Sequence, residues 1–148
     1  MRAALVLLAV VACGYAPVRG PSAKRWSVAA PRNDTAQAEV GGWLAQELRS
    51  ELSTRGELDS SGPEILPEIL SLRSFTSAAG AEGAAAFRVE AQVALRGAAN
   101  DAVTGSEDYL AGVDVEGTEA NRRAAIRRLF RSVSRELVER LEVAERLR

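Results

Sequence analysis

The segment Phe87-Arg88-Val89-Glu90-Ala91-Gln92-Val93-Ala94-Leu95-Arg96 decides the fold of this chain. Phe87, Val89, Ala91, Val93 and Leu95 alternate with Arg88, Glu90, Gln92, Ala94 and Arg96, a period of two that an extended strand turns into two faces. One face belongs on a core and the other in water, as in an antiparallel sheet covered on one side. Downstream, residues 97–101 turn the chain and residues 102–110 form a weaker strand. Upstream, residues 77–86, with Gly80 and Gly83 among alanines, connect back to a strand over residues 64–76 that Pro67 interrupts. Trp26-Ser27-Val28-Ala29-Ala30 is a short first strand closed by Pro31, which has no N–H to give to a ladder.

Two other stretches follow the helical period. Ala36, Val40, Trp43, Leu44, Leu48 and Leu52 recur at three- and four-residue spacing behind Asn33-Asp34-Thr35, whose side-chain oxygens suit an N-cap. That helix ends near Arg55-Gly56, where glycine takes the left-handed cap. Gly41-Gly42 costs about 1 kcal/mol per residue relative to alanine, so packing must hold the helix, and the pair lets it sit close to a sheet. The last helix, capped by Thr118, carries Ala125 or Ile126, then Leu129, Phe130, Val133, Leu137, Leu141 and Ala144 on one stripe. Glu116 and Glu119 lie at its positive end and Arg146 and Arg148 at its negative end. The order strand, helix, three strands, helix implies a crossover onto one sheet and then two antiparallel hairpins. The expected fold is α+β: a four-stranded mixed sheet with two helices packed on one face.

Residues 1–12 read as a leader: Arg2, then an apolar run of about ten residues, half of the roughly 20 that a bilayer-spanning helix needs. Val10-Val11-Ala12-Cys13 resembles the bacterial lipobox, in which the cysteine is acylated and becomes the mature N-terminus. Cys13 is the only cysteine and has no disulfide partner within the chain; lipidation accounts for it, and an ordinary signal peptide cleaved near Gly20 is the alternative. Residues 13–24, with Pro17, Gly20, Pro21 and Ser22, then form a lipidated N-terminus and flexible tether, and residues 25–148 one domain. Acyl chains on Cys13 would hold that domain at a membrane surface, and Gly14, where Asp would signal inner-membrane retention, favours the outer membrane.

Composition narrows the chemistry. With 19 basic and 20 acidic residues the chain is no electrostatic binder of nucleic acid. It has no histidine, and its one cysteine is expected to be blocked, which excludes His-based triads, Cys-His nucleophiles and His/Cys zinc sites; no cofactor beyond the lipid is expected. The acidic groupings near a loop are Glu107-Asp108 and Asp114 with Glu116, and neighbours on a strand point to opposite faces, so an enzyme is not expected.

Taken together, Cys13-Gly14-Tyr15, Val28-Ala29-Ala30-Pro31-Arg32-Asn33-Asp34-Thr35, and Gly105-Ser106-Glu107-Asp108-Tyr109 leading to Thr118-Glu119-Ala120-Asn121-Arg122-Arg123-Ala124-Ala125 resemble the LPS-assembly lipoprotein (LptE) family over nearly the whole mature chain. The chain departs from the family pattern at Arg32, where an aromatic is usual, and in the bland alanines of residues 78–86. The resemblance implies two helices on a four-stranded sheet. It also implies a lipid-anchored protein on the periplasmic side of the outer membrane. Such a protein plugs and helps assemble the LptD-like β-barrel that exports lipopolysaccharide, and contacts lipopolysaccharide itself. Because that ligand is polyanionic, Arg73, Arg88 and Arg96 are candidate contacts, arginine being able to grip phosphate bidentately; a solvated sheet face is the bland reading. Arg122, Arg123, Arg127, Arg128, Arg131 and Arg135 are a candidate partner face for an acidic barrel wall, or a solvated helix face. A lipid-anchored envelope regulatory domain, such as a peptidoglycan synthase activator, is the competing class.

Overall fold

The computed structural model describes residues 24–79, 85–96 and 99–147. The leader, Cys13, the tether up to residue 23, and the connections at residues 80–84 and 97–98 lie outside the described residues. The elements run β1 (Ser27–Val28), β2 (Arg32–Asn33), α1 (Glu39–Thr54), β3 (Glu64–Ala79), β4 (Ala85–Arg96), β5 (Ala99–Leu110) and α2 (Val115–Arg146). They form the expected α+β fold, with both helices and the inner sheet face sharing one apolar cluster.

The alternating segment is β4, in the middle of the sheet. Val89, Ala91, Val93 and Leu95 are fully buried, and Arg88, Gln92 and Arg96 are exposed on the far face. β4 pairs antiparallel with β3 on one side and β5 on the other, and both neighbours are longer than the expected strands. Pro31 splits the first strand where it was expected to close it. β1 and β2 lie end to end, each parallel to β3, with Ser27 opposite Glu64 and Arg32 opposite Glu68. The sheet therefore has five strands in four columns. Pro67 is tolerated inside β3 because its missing N–H falls opposite the break that Pro31 makes.

Both helix starts differ from the expected ones. Asn33 and Thr35 build a turn before α1: Asn33 Oδ1 accepts from the Thr35 N–H at 3.1 Å, and Thr35 Oγ1 accepts from the Gln37 N–H at 3.3 Å. The helix begins only at Glu39 and ends as expected, with Gly56 at φ 71°. Asp114, not Thr118, caps α2, its carboxylate accepting from the Gly117 N–H at 2.6 Å. The Thr118 hydroxyl instead donates to the Asp114 carbonyl and accepts from the Gly112 N–H, which ties the preceding loop to the helix.

α2 presses directly on β5. A Cβ placed on Gly105 would lie 2.6 Å from Val133 Cγ2 and 2.7 Å from Leu129 Cδ1, so the helix occupies the space of the missing side chain. α1 packs on α2 through Val40, Leu44, Leu48 and Leu52, all fully buried. At the far end Arg55, itself buried, holds Glu51 on its own helix and Glu142 on α2. Burial opposes its charge, but hydrogen bonds to Glu142 and Glu51 outweigh that and raise its pKa.

Two substitutions test this packing by chemical denaturation. Gly105→Val puts a branched side chain against Leu129 and Val133 and should cost about 1–3 kcal/mol of stability. Ser134→Ala should stabilise by about 1 kcal/mol, because the fully buried Ser134 hydroxyl has no hydrogen-bond partner among the described residues. An unchanged midpoint in either variant would contradict the corresponding contact.

Candidate functional site

The face of the sheet away from the helices is open. A register shift between Ile69 and Ser71 exchanges the faces along β3, so Leu66, Glu68, Arg73 and Phe75 all end up on the outer side. Arg88 and Arg96 of β4 join them, and β5 adds Ser106, Asp108 and Leu110. The structure thus brings Arg73, Arg88 and Arg96 onto one surface. Leu66, Phe75 and Leu110 stand exposed among them. Sequence reading did not single out these apolar residues, although the parity of β3 would have located Leu66 and Phe75 had the bulge been legible.

The arginines differ in their partners. Arg88 makes a two-pronged pair with Asp108, Nε to Oδ1 at 2.8 Å and Nη2 to Oδ2 at 3.0 Å. Arg96 grips Glu68 in the same way, with Nη2 to Oε1 at 2.9 Å, and Arg32 reaches Glu68 from the other side at 3.4 Å. Glu68 is only 3% exposed despite lying on the open face, because these two guanidiniums cover it. Arg73 stands opposite Glu90 in register and makes no hydrogen bond or ion pair with any described residue. The hydrogen bonds from Arg88 hold the Asp108 carboxyl below the usual carboxylate range.

Of the eight arginines of α2, the six expected to form a partner face reach toward several different elements. Arg127 stacks over the Trp43 ring at 5.1 Å and Arg131 lies 3.4 Å from Glu47, so both tie α2 to α1. Arg128 turns toward β5, 3.6 Å from Glu107, and Arg122 reaches Ser74 of β3 while pairing with Glu119. Arg123 is exposed and pairs with Glu119, and Arg135 is exposed on the helix surface. Glu107 and Asp108 point to opposite faces, toward Arg128 and Arg88 respectively. Among the described residues no cluster of three or more His, Cys, Asp or Glu is arranged to hold a metal, and no helix is long and apolar enough to cross a membrane.

The domain has two distinct ends. Lys24 Nζ bonds Glu145 at 2.7 Å, which puts the start of the described chain beside the C-terminal end of α2. The loop before α2 occupies the other end, about 45 Å away along the helix. There Val113 and Val115 are fully exposed, at 104% and 88%, with Leu110 beside them. Gly112, Asp114, Val115, Thr118 and Glu119 line a shallow open depression of about 400 Å³ at this tip.

Two helices on one side of a mixed sheet, with the other side open and mixed in polarity, define a small two-layer α+β domain. The chain belongs to the LptE family, described as lipopolysaccharide-assembly, whose sequence model matches residues 23–141. Solved structures share the fold at low identity. A protein of Xanthomonas campestris aligns with TM-score 0.56 at 15% identity, covering 88% of this chain and 91% of its own. The rare lipoprotein B of Shewanella oneidensis aligns with TM-score 0.51 at 11% identity, over 80% and 96%. A minor lipoprotein of Acinetobacter baumannii aligns with TM-score 0.50 at 12% identity, over 82% and 92%. No curated protein matches the sequence.

The Arg88–Asp108 pair gives a direct check by carboxyl NMR titration. Asp108 should titrate below its ordinary value near 3.8, and Arg88→Gln should return it to that value. Because the folded pKa is depressed, the pair's contribution is present above the ordinary value and is lost as pH falls through the depressed one. An Asp108 titration unaffected by Arg88→Gln would mean the pair does not form in solution.

Proposed function

We propose that this protein is the lipid-anchored partner of an outer-membrane β-barrel translocon for lipopolysaccharide, that it plugs the barrel and aids its assembly, and that it acts by binding and not by turnover. The observation that carries this reading is the match of residues 23–141 to the lipopolysaccharide-assembly family. The polarity of the domain supports it. The chain enters at one end of α2, where a lipid on Cys13 would tether it, and the exposed Val113 and Val115 lie at the other end, suited to contact with a partner.

The open face supports contact with a polyanion. A guanidinium has five N–H donors, and Asp108 and Glu68 use two on Arg88 and Arg96 respectively. The carboxylates thus hold each arginine in place and leave Nη1 for a phosphate oxygen. Arg88 and Arg96 are therefore the proposed lipopolysaccharide contacts, with Leu66, Phe75 and Leu110 offering apolar area nearby. Arg73 stands nearest the open side of β3 and serves whatever lies along that strand. Of the six candidate partner-face arginines, Arg123 and Arg135 are the ones offered to a partner, since the other four are engaged with other parts of the domain.

The test is co-expression of the tagged full chain with the LptD-like barrel subunit of the same genome, followed by purification in detergent. A stoichiometric complex is expected, with the mature protein beginning at acylated Cys13 by mass spectrometry. Recovery of a peptidoglycan synthase without the barrel, or an unacylated Cys13 inside a longer peptide, would overturn the reading. Arg88→Glu with Arg96→Glu should lower lipopolysaccharide binding at least about tenfold, equivalent to about 1.4 kcal/mol.

A further inference from the structure

The two edges of the sheet are treated differently. A hydrogen bond from Ala111 N–H to the Ala85 carbonyl fixes the parity of β5: odd residues face β4 and even residues point out from the edge. Side chains of α2 cover several of these outward carbonyls. Asn121 donates to Leu110 O at 3.0 Å, Arg128 to Asp108 O at 3.5 Å and Arg140 to Ala102 O at 3.4 Å. An incoming strand would have to displace them.

The edge of β3 is covered only along its first part. The carbonyls of Ile65 and Ile69 accept from Ala29 and Asp34, so odd residues face β1 and β2 there. The register shift after Ile69 reverses this, and Leu72, Ser74 and Thr76 direct their N–H and C=O away from β4. No described strand pairs with them, since the partners of β1 and β2 stop at Ile69. Residues 73–77 are exposed in succession, on both faces of the strand. A second shift between Thr76 and Ala78 closes the segment, which carries neither Pro nor Lys to discourage pairing.

We propose that residues 71–76 of β3 accept an extended, acid-bearing strand of the barrel subunit, by main-chain hydrogen bonds to Leu72, Ser74 and Thr76. This rests on the translocon reading above. Charge identifies the occupant's character: Arg88 and Arg96 on this face each hold a carboxylate, whereas Arg73, beside the open edge, holds none among the described residues. A strand added there places a carboxylate within reach of Arg73 and an apolar side chain beside Phe75. The chain's own N-terminal side is a poorer occupant, because β1 joins the sheet at Glu64, the opposite end of β3.

The experiment compares amide hydrogen exchange, resolved to single residues, in the free full chain and in its purified complex with the barrel subunit. Leu72, Ser74 and Thr76 are expected to slow at least about tenfold in the complex, and Thr104 and Ser106, outward on β5, to change little. A complex that forms without slowing at these three residues overturns the strand proposal and leaves the translocon reading standing. Equal slowing at Thr104 and Ser106 also overturns it, because that is general burial. If no complex forms, both fall. Ser74→Pro removes an outward N–H and should weaken recovery of the barrel about tenfold at unchanged melting temperature; if that variant unfolds, the exchange pattern alone decides.

Discussion

The contact on which the rest of the structure depends is the seating of α2 on β5 at Gly105. Leu129 and Val133 occupy the volume that any other residue there would fill, so helix and strand approach more closely than two side-chain layers allow. That seat fixes the long helix, and the long helix then serves as the platform for α1. Arg55 joins the two helix ends through Glu51 and Glu142, in a site dry enough that the charges must be paired. With both helices committed to one side, the other side of the sheet is left to the solvent or to a partner. The open face is thus a consequence of how the core closes.

Much of this architecture is legible in the residue pattern alone. The alternation through β4 and the stripe of α2 are periodic over enough residues that only one kind of element satisfies each, and both lie where the periodicity puts them. The errors occur where a single residue has two allowed roles. Pro31 either ends a strand or breaks one, and the choice depends on whether the chain beyond it finds β3 again, which local sequence does not encode. Thr118 and Asp114 are both good caps. Asp114 wins because its extended backbone lets the carboxylate reach the Gly117 N–H, and Thr118 is left to fasten Gly112.

The candidate site was less legible for a related reason. Arg73, Arg88 and Arg96 were chosen by charge and strand position, and the sheet does gather them, but their partners depend on register. Asp108 meets Arg88 only because β5 pairs with β4 at that offset, and Glu68 meets Arg96 only upstream of the bulge after Ile69. The arginines of α2 show the same limit more sharply. Their count suggested one basic face, yet consecutive positions on a helix lie about 100° apart, so neighbours such as Arg127 and Arg128 turn to different elements, Trp43 on α1 and Glu107 on β5. A chain with nearly equal numbers of acids and bases has spent most of its arginines on internal ties.

That economy bears on how such a domain recognises anything. With Arg122, Arg127, Arg128 and Arg131 engaged within the fold, the sheet face carries its own outward cationic groups, beside exposed apolar side chains. A ligand with phosphates and acyl chains matches this mixture better than a purely charged one, because Asp108 balances the charge of Arg88 and Glu68 is shared between Arg96 and Arg32. Structures with 11–15% identity keep the same layers. Drift of that degree is accommodated because the fold rests on a pattern of volume and polarity that many side chains satisfy.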